Sequence, residues 1–145
     1  MSGLIKPPVM GLDVGKVRIG VALSDALHMT AQAHSVIHRT RLKEDLKAIE
    51  EIIRDRGVET IVVGLPETLA KRRSQSTEMV EEFTAALQKS LPETEVIFWD
   101  ERLTTVQAES VLIQAGTRRK KRKQKVDKIA AALILQNYLD RQSRM

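Results

Sequence analysis

Three acidic places in the chain call for a chemical explanation. Asp13 interrupts the apolar stretch "VMGLDV" (9–14), and "DER" (100–102) follows directly on the apolar "EVIFW" (95–99). Asp127 precedes the almost wholly apolar "IAAALIL" (129–135). Most of the other acids lie among Lys and Arg, where solvation accounts for them. Each of the three also has a plain structural reading. Asp13 could accept hydrogen bonds from its own hairpin turn, although aspartate is disfavoured within strands. Asp100 could lead into a following helix while Glu101 pairs with Arg102 on the surface. Asp127 could be a favourable charge in the first turn of a helix, worth roughly 0.3–1 kcal/mol. Together they match a different need. A cluster of carboxylates stays ionised only beside cations, and Mg²⁺ or Mn²⁺ seeks oxygen ligands of this kind. Two such ions about 3.5–4 Å apart activate a water and stabilise a leaving oxygen in phosphodiester cleavage.

A second feature fits the same chemistry. Residues 118–125, "RRKKRKQK", contain Arg118, Arg119, Lys120, Lys121, Arg122, Lys123 and Lys125, and no acid. The chain carries a formal charge of +5, and without these seven bases the remainder would carry −2. The basicity is thus one patch on a nearly neutral body, which attracts polyanions with a strongly salt-dependent affinity, while its plain structural reading is a solvated, flexible loop. The three histidines, His28, His34 and His38, show no metal-ligand spacing and are read as incidental.

The elements that must position these residues alternate in an α/β pattern. Residues 9–14 and 18–24 read as a hairpin around "GK", and 33–38 as a weaker third strand. A helix is predicted for Leu42 to Arg56, with Leu42, Leu46, Ile49, Ile52 and Ile53 on one face and Gly57 as its stop. "ETIVVG" (59–64) reads as a buried parallel strand. A helix over about 76–90 follows, with Met79, Val80, Phe83 and Leu87 inward, and then the strand 95–99. Thr104 and Gln107 have capping-box spacing for a helix that should stop at Gly116. A last helix is expected from about Val126 to Arg141. The order implies a mixed sheet with helices on its faces, and acids at strand and helix ends gather at one edge of such a sheet.

Composition narrows the class. With 145 residues the chain has the usual size of one domain, and 42% hydrophobic against 30% charged residues is ordinary for a globular protein. Aromatics make up only 3%, so the core must be built from Val, Ile, Leu and Ala. There is no apolar run of the roughly 20 residues a membrane span requires, and no export signal is visible. The absence of cysteine excludes disulfides and thiolate metal sites, and is compatible with a cytoplasmic location.

Four stretches carry a resemblance. "GLDVGKVRIGVALSD", "IVVGLP", "DERLTT" and "KVDKIAAALILQNYL" are similar, in order, to the signature blocks of the YqgF/RuvX family, over Val9 to Leu139. That family comprises RNase H-like proteins described as pre-16S rRNA nucleases and Holliday junction resolvase homologues. The resemblance implies a single RNase H-like nuclease domain over residues 1–145. Its fold would be a five-stranded mixed sheet, three antiparallel strands and then parallel ones, flanked by helices. It also implies a cytoplasmic, Mg²⁺- or Mn²⁺-dependent endonuclease acting on structured nucleic acid, with 5′-end maturation of pre-16S rRNA ranked first. By the same resemblance Asp13, Glu101 and Asp127 are catalytic and metal-binding, with Asp100 as the alternative ligand in "DER". Alternation along "VIFWDE" puts one of the two acids on the metal side, and Glu101 is favoured. Arg102 suits a phosphate or a structural ion pair. The loop after "GLP" departs from the family pattern and brings Lys71, Arg72 and Arg73, expected as a second contact with the nucleic-acid backbone.

Rival readings differ in what they need. The Asp13–Gly15 and Gly20–Ala22 pattern also opens the ATP-binding domains of actin-like kinases and chaperones, but those close two such domains around the nucleotide, and this length supplies one. Holliday junction resolution shares the chemistry and requires a symmetric dimer, so both monomer and homodimer stay open. A non-catalytic RNA-binding or transcription regulatory factor, with ribosomal particles as a partner, accounts for the basic run. It does not account for acids placed where phosphates approach. Precursor rRNA or branched DNA is the expected partner, and no membrane.

Overall fold

A computed structural model describes the backbone of residues 6–65, 75–100 and 119–143, and the side chains of 6–65, 77–99 and 129–143. The strands are β1 (Val9–Val14), β2 (Arg18–Ser24), β3 (Ala31–His38), β4 (Thr60–Leu65) and β5 (Glu95–Asp100). The helices among the described residues are α1 (Leu42–Arg56), α2 (Gln75–Ser90) and α3 (Arg119–Ser143). The five strands form one sheet in the order β3-β2-β1-β4-β5. β1–β2 and β2–β3 pair antiparallel, whereas β1–β4 and β4–β5 pair parallel. The mixed sheet expected from the sequence is therefore present, with β1 at its centre. The expected helix ending at Gly116 lies outside the described residues.

Alternation along the strands divides the core in two. Met10, Leu12 and Val14 of β1, with Ile19, Val21 and Leu23 of β2 and Ile61 and Val63 of β4, face α1 and α2. Those helices answer with Ile49 and Ile53, and with Val80, Phe83 and Leu87. On the other face Val9, Ala22 and Val62 pack against Ala131, Ile134, Leu135 and Leu139 of α3. The spacing of the α3 residues is the i, i+3, i+4 stripe of a helix lying along a sheet.

Two expectations about helices need correction. Leu42, expected on the inward face of α1, is 47% exposed. It is the first residue of the helix, where the chain has not yet reached the sheet, and the buried stripe begins at Asp45. The basic run is not a loop. Arg119 to Lys125 form the first two turns of α3, continuous with the apolar part. Lys, Arg and Gln are good helix formers, and no Gly or Pro stands between Arg118 and the helix end. Gly57 stops α1 as expected: it takes φ 70°, and its N–H donates to the Ile53 carbonyl at 2.8 Å.

Candidate active site

Asp13 is the fifth residue of β1 and shares its face with Val9 and Gly11, the face covered by α3. It is half-buried, and directly across the ladder stands Gly20 of β2. No side chain from that neighbour crowds the carboxylate. In the next row of the sheet Gly64 of β4 pairs with Trp99 of β5. Trp99 packs on the α3 side, edge-on to Tyr138 with ring centroids 5.7 Å apart. The odd-numbered positions of β5 thus belong to the Asp13 face. Asp100 ends β5 in register with Leu65, whose side chain packs on the α1/α2 core.

The helix α3 lies unusually close to β1. A Cβ added at Gly11 would stand 2.8 Å from Leu135 Cβ and 2.9 Å from the Ala131 carbonyl oxygen. Only glycine permits that approach. The C-terminal end of α3 shares a cavity wall with Val9 and Thr60, which begin β1 and β4. The helix therefore runs antiparallel to β1, with Leu139 near Val9 and Leu135 and Ala131 over Gly11. Asp127 lies one turn N-terminal to Ala131 on the same helix. Because α3 begins at Arg119, Asp127 falls in its third turn and not its first. A favourable helix-end charge fades within the first turn and so does not explain this acid.

Asp13 is followed by the turn Gly15–Val17, in which the Gly15 N–H donates to the Arg18 carbonyl at 2.9 Å. A Cβ at Gly15 would meet that same oxygen at 2.8 Å, which explains this glycine without any ligand. Arg39 closes on the turn from the α1/α2 side. Its Nη1 donates to the Gly15 carbonyl at 2.9 Å, and its Nε to Asp45 Oδ2 at 3.1 Å. The guanidinium also sits 5.1 Å from the Phe83 ring centroid. Asp45 is 2% exposed and also accepts the Thr40 N–H at 3.1 Å. Sequence reasoning overlooked this pair. The signal was an acid at position 45 on the same i, i+4 row as Ile49 and Ile53.

Glu101, Arg102, Lys71, Arg72, Arg73 and Arg118 lie outside the described residues. Among the described residues no group of three His, Cys, Asp or Glu could hold a metal ion, since Asp13 alone of the expected ligands has a described side chain. His28 bonds the Pro7 carbonyl through Nε2 at 2.7 Å and His34 bonds Ser35 Oγ through Nδ1 at 2.9 Å. A cavity of about 510 Å³ lies at the other end of β1, lined by Lys6, Val9, Met29, Tyr138 and Asp140 among others, and does not include Asp13.

A five-stranded mixed sheet with helices on both faces and an acid in its central strand defines the RNase H-like class of α/β proteins. Residues 8–141 match the family model described as "RuvX: Holliday junction resolvase", and the chain belongs to that family. It is 50% identical over 137 residues to a protein of Halothermothrix orenii named as a pre-16S rRNA nuclease, covering 94% of this chain and 97% of that one. A Clostridium tetani protein of the same name is 50% identical over 132 residues, covering 91% and 95%. Among solved structures, Thermus thermophilus RuvC in complex with a Holliday junction superposes with a TM-score of 0.62 at 16% identity, covering 95% of this chain and 97% of RuvC. The yeast mitochondrial Holliday junction resolvase Ydc2 gives 0.60 at 14% identity, covering 94% and 79%. These two likenesses establish the fold.

Proposed function

We propose that this chain is an endonuclease that hydrolyses phosphodiester bonds in structured nucleic acid, and that its substrate is the precursor of 16S rRNA. The name and near full-length coverage of the 50%-identical relatives support the substrate. The observation that carries the chemistry is the match between β1 and α3. Four residues of helix advance about 6 Å, and two residues of strand about 6.6 Å. Going from Gly11 to Asp13 on the strand therefore corresponds to going from Ala131 to Asp127 on the antiparallel helix. The spacing supports Asp127 as the partner of Asp13. Glu101 is the third acid in this reading, because the alternation of the sequence "VIFWDE" gives it the same parity as Trp99, which packs on the Asp13 face.

The donor set fits a hard divalent cation. All three groups are carboxylates, there is no cysteine, and Gly20 leaves room beside Asp13. Asp13, Glu101 and Asp127 would hold Mg²⁺ or Mn²⁺, which when bound supplies an activated water and charge stabilisation at the leaving oxygen. The protein's own contribution is placement: a central strand and a closely packed helix hold two of the acids on rigid elements. Arg119 to Lys123 and Lys125 would engage the phosphate backbone from the first turns of α3. Lys71, Arg72, Arg73, Arg102 and Arg118 would add contacts around it. A cytoplasmic enzyme working on ribosomal precursors follows from that substrate, and no helix among the described residues is long and apolar enough to cross a membrane.

Incubation of wild type and Asp13→Asn with precursor rRNA, in Mn²⁺ and in EDTA, tests the proposal. Cleavage should require the metal and vanish in the variant, while RNA binding is retained or tighter because one negative charge is gone. Wild-type cleavage by Asp13→Asn would overturn it. The family description favours a second reading, resolution of four-way DNA junctions by a homodimer. A parallel incubation with a four-way junction separates the two: symmetric paired nicks would favour resolution, and intact junctions beside processed rRNA would favour maturation.

A further inference from the structure

We propose that Arg39 is a positioning residue for the site, acting through the β1–β2 turn to hold the Asp13 carboxylate in its metal-binding place; this rests on the reading of Asp13 as a metal ligand. Asp13 is only two residues from the end of the hairpin, and the turn after it is exposed, with Val17 62% accessible. Turns of this kind are where sheets fray. A ligand on the last rows of a strand holds a metal tightly only if the turn beyond it is tied down.

Arg39 supplies the tie. Its backbone N–H donates to the Val17 carbonyl at 2.8 Å, which fixes one limb of the turn, and its Nη1 donates to the Gly15 carbonyl, which fixes the other. The same guanidinium is itself fixed by helices on the face opposite Asp13. Nε bonds Asp45 of α1, Nη1 also approaches the Met79 sulfur at 3.7 Å, and the Phe83 ring of α2 lies beneath it. Asp45 is locked in turn by the Thr40 N–H. One planar fork thus links the turn carbonyl to two helices. Lysine cannot reproduce this, because a single ammonium group lacks the divergent donors of the fork. Partners that orient metal ligands from behind typically change metal affinity or activity by about 10–100-fold when removed.

The experiment measures Mn²⁺ affinity by calorimetry, kcat and KM for the RNA, and thermal unfolding, for wild type, Arg39→Lys, Asp13→Asn and Ile53→Val. Arg39→Lys should weaken Mn²⁺ binding about 10-fold or more and lower kcat with KM little changed. Ile53→Val, a mild core defect on the same layer, should lower the melting temperature and leave Mn²⁺ affinity alone. Wild-type Mn²⁺ affinity and kcat in Arg39→Lys, with affinity lost in Asp13→Asn, would overturn the positioning role alone. Unchanged affinity in Asp13→Asn would instead overturn the ligand reading on which it rests. If Arg39→Lys does not fold, Asp45→Asn takes its place. It removes the charge that orients the guanidinium while keeping an acceptor for the Thr40 N–H, and the same outcomes decide.

Discussion

Gly11→Ala is the most direct probe of how the site is assembled. A methyl group there meets Leu135 Cβ at 2.8 Å and the Ala131 carbonyl oxygen at 2.9 Å. Neither contact can be relieved by a rotamer change, since one atom is a Cβ and the other is backbone. To reach ordinary contact the helix must move about 0.6 Å, the gap between 2.8 Å and 3.4 Å. Overpacking of this kind costs about 1–3 kcal/mol, and the smaller unfolded-state entropy of Ala returns about 0.4–1 kcal/mol. At about 2.1 cal/mol/K of unfolding entropy per residue, each kcal/mol lowers the melting temperature of a chain this size by roughly 3 °C. The net cost of about 0–2.6 kcal/mol corresponds to a drop of roughly 0–8 °C. The functional effect should be larger than the stability effect, because the displaced helix carries Asp127 and misplacement by about 1 Å can cost about 100-fold in rate. Calorimetric unfolding and single-turnover cleavage of precursor rRNA in Mn²⁺ measure the two quantities. A variant as stable and as active as wild type would refute the close docking of α3 on β1 and the pairing of Asp13 with Asp127 built on it.

Replacing Arg119 to Lys123 and Lys125 with Ala should weaken binding equally across RNA sequences and reduce the salt slope by about 0.7–0.9 for each phosphate no longer neutralised; weakening confined to one sequence would point to base readout. Changing Lys71, Arg72 and Arg73 together to Ala should also flatten the salt dependence, and an unchanged slope would remove that loop from the interface. In the β2–β3 loop the Thr30 N–H holds the Asp25 carboxyl below its ordinary range, aided by the Met29 N–H. The folded value is depressed, so this contribution is present above the ordinary carboxylate range and is lost as pH falls through the folded value. The Met29 and Thr30 amide resonances should report that change, and Asp25→Ala should remove it. Gly11→Ala and Arg39→Lys act on opposite faces without shared partners, so their stability effects should add within about 0.5 kcal/mol. Their effects on Mn²⁺ affinity should fall short of adding, since on the proposed reading one displaces Asp127 and the other Asp13, two ligands of the same ion.

Local pattern made much of the fold legible. The β-branched run at 59–64, the apolar face of α1 from Leu46 onward and the stop at Gly57 each depend on neighbours a few residues away, and each stands within a residue of where the sequence indicates. Position in space was less legible. Leu42 fits the helical stripe but lies before the point where α1 meets the sheet. The basic run invites reading as a loop because like charges repel, yet its residue types favour helix and an apolar helix anchored on the sheet extends through it. Asp13 and Asp127 stand out because an acid breaks an apolar pattern. Arg39 does not, because an arginine after a strand is unremarkable until Gly15 and Asp45 are found on either side of it.

Two distant stretches of the chain change character at the same level of the fold, and that coincidence is what supports the proposal that they form one site. Along β1, Val9 and Gly11 are lined with apolar helix, and the next residue on that face is a carboxylate. Along α3, Leu139, Leu135 and Ala131 are apolar, and the next turn on that row is also a carboxylate. Packing alone gives no reason for this agreement. A central strand flanked by β2 and β4 is costly ground for a carboxylate, and a second acid nearby raises the cost. Either boundary alone would be a local irregularity. On the proposed reading, these two boundaries, meeting at a contact only a glycine allows, would form a place for a cation, and the basic turns at the start of α3 would lead phosphates to it.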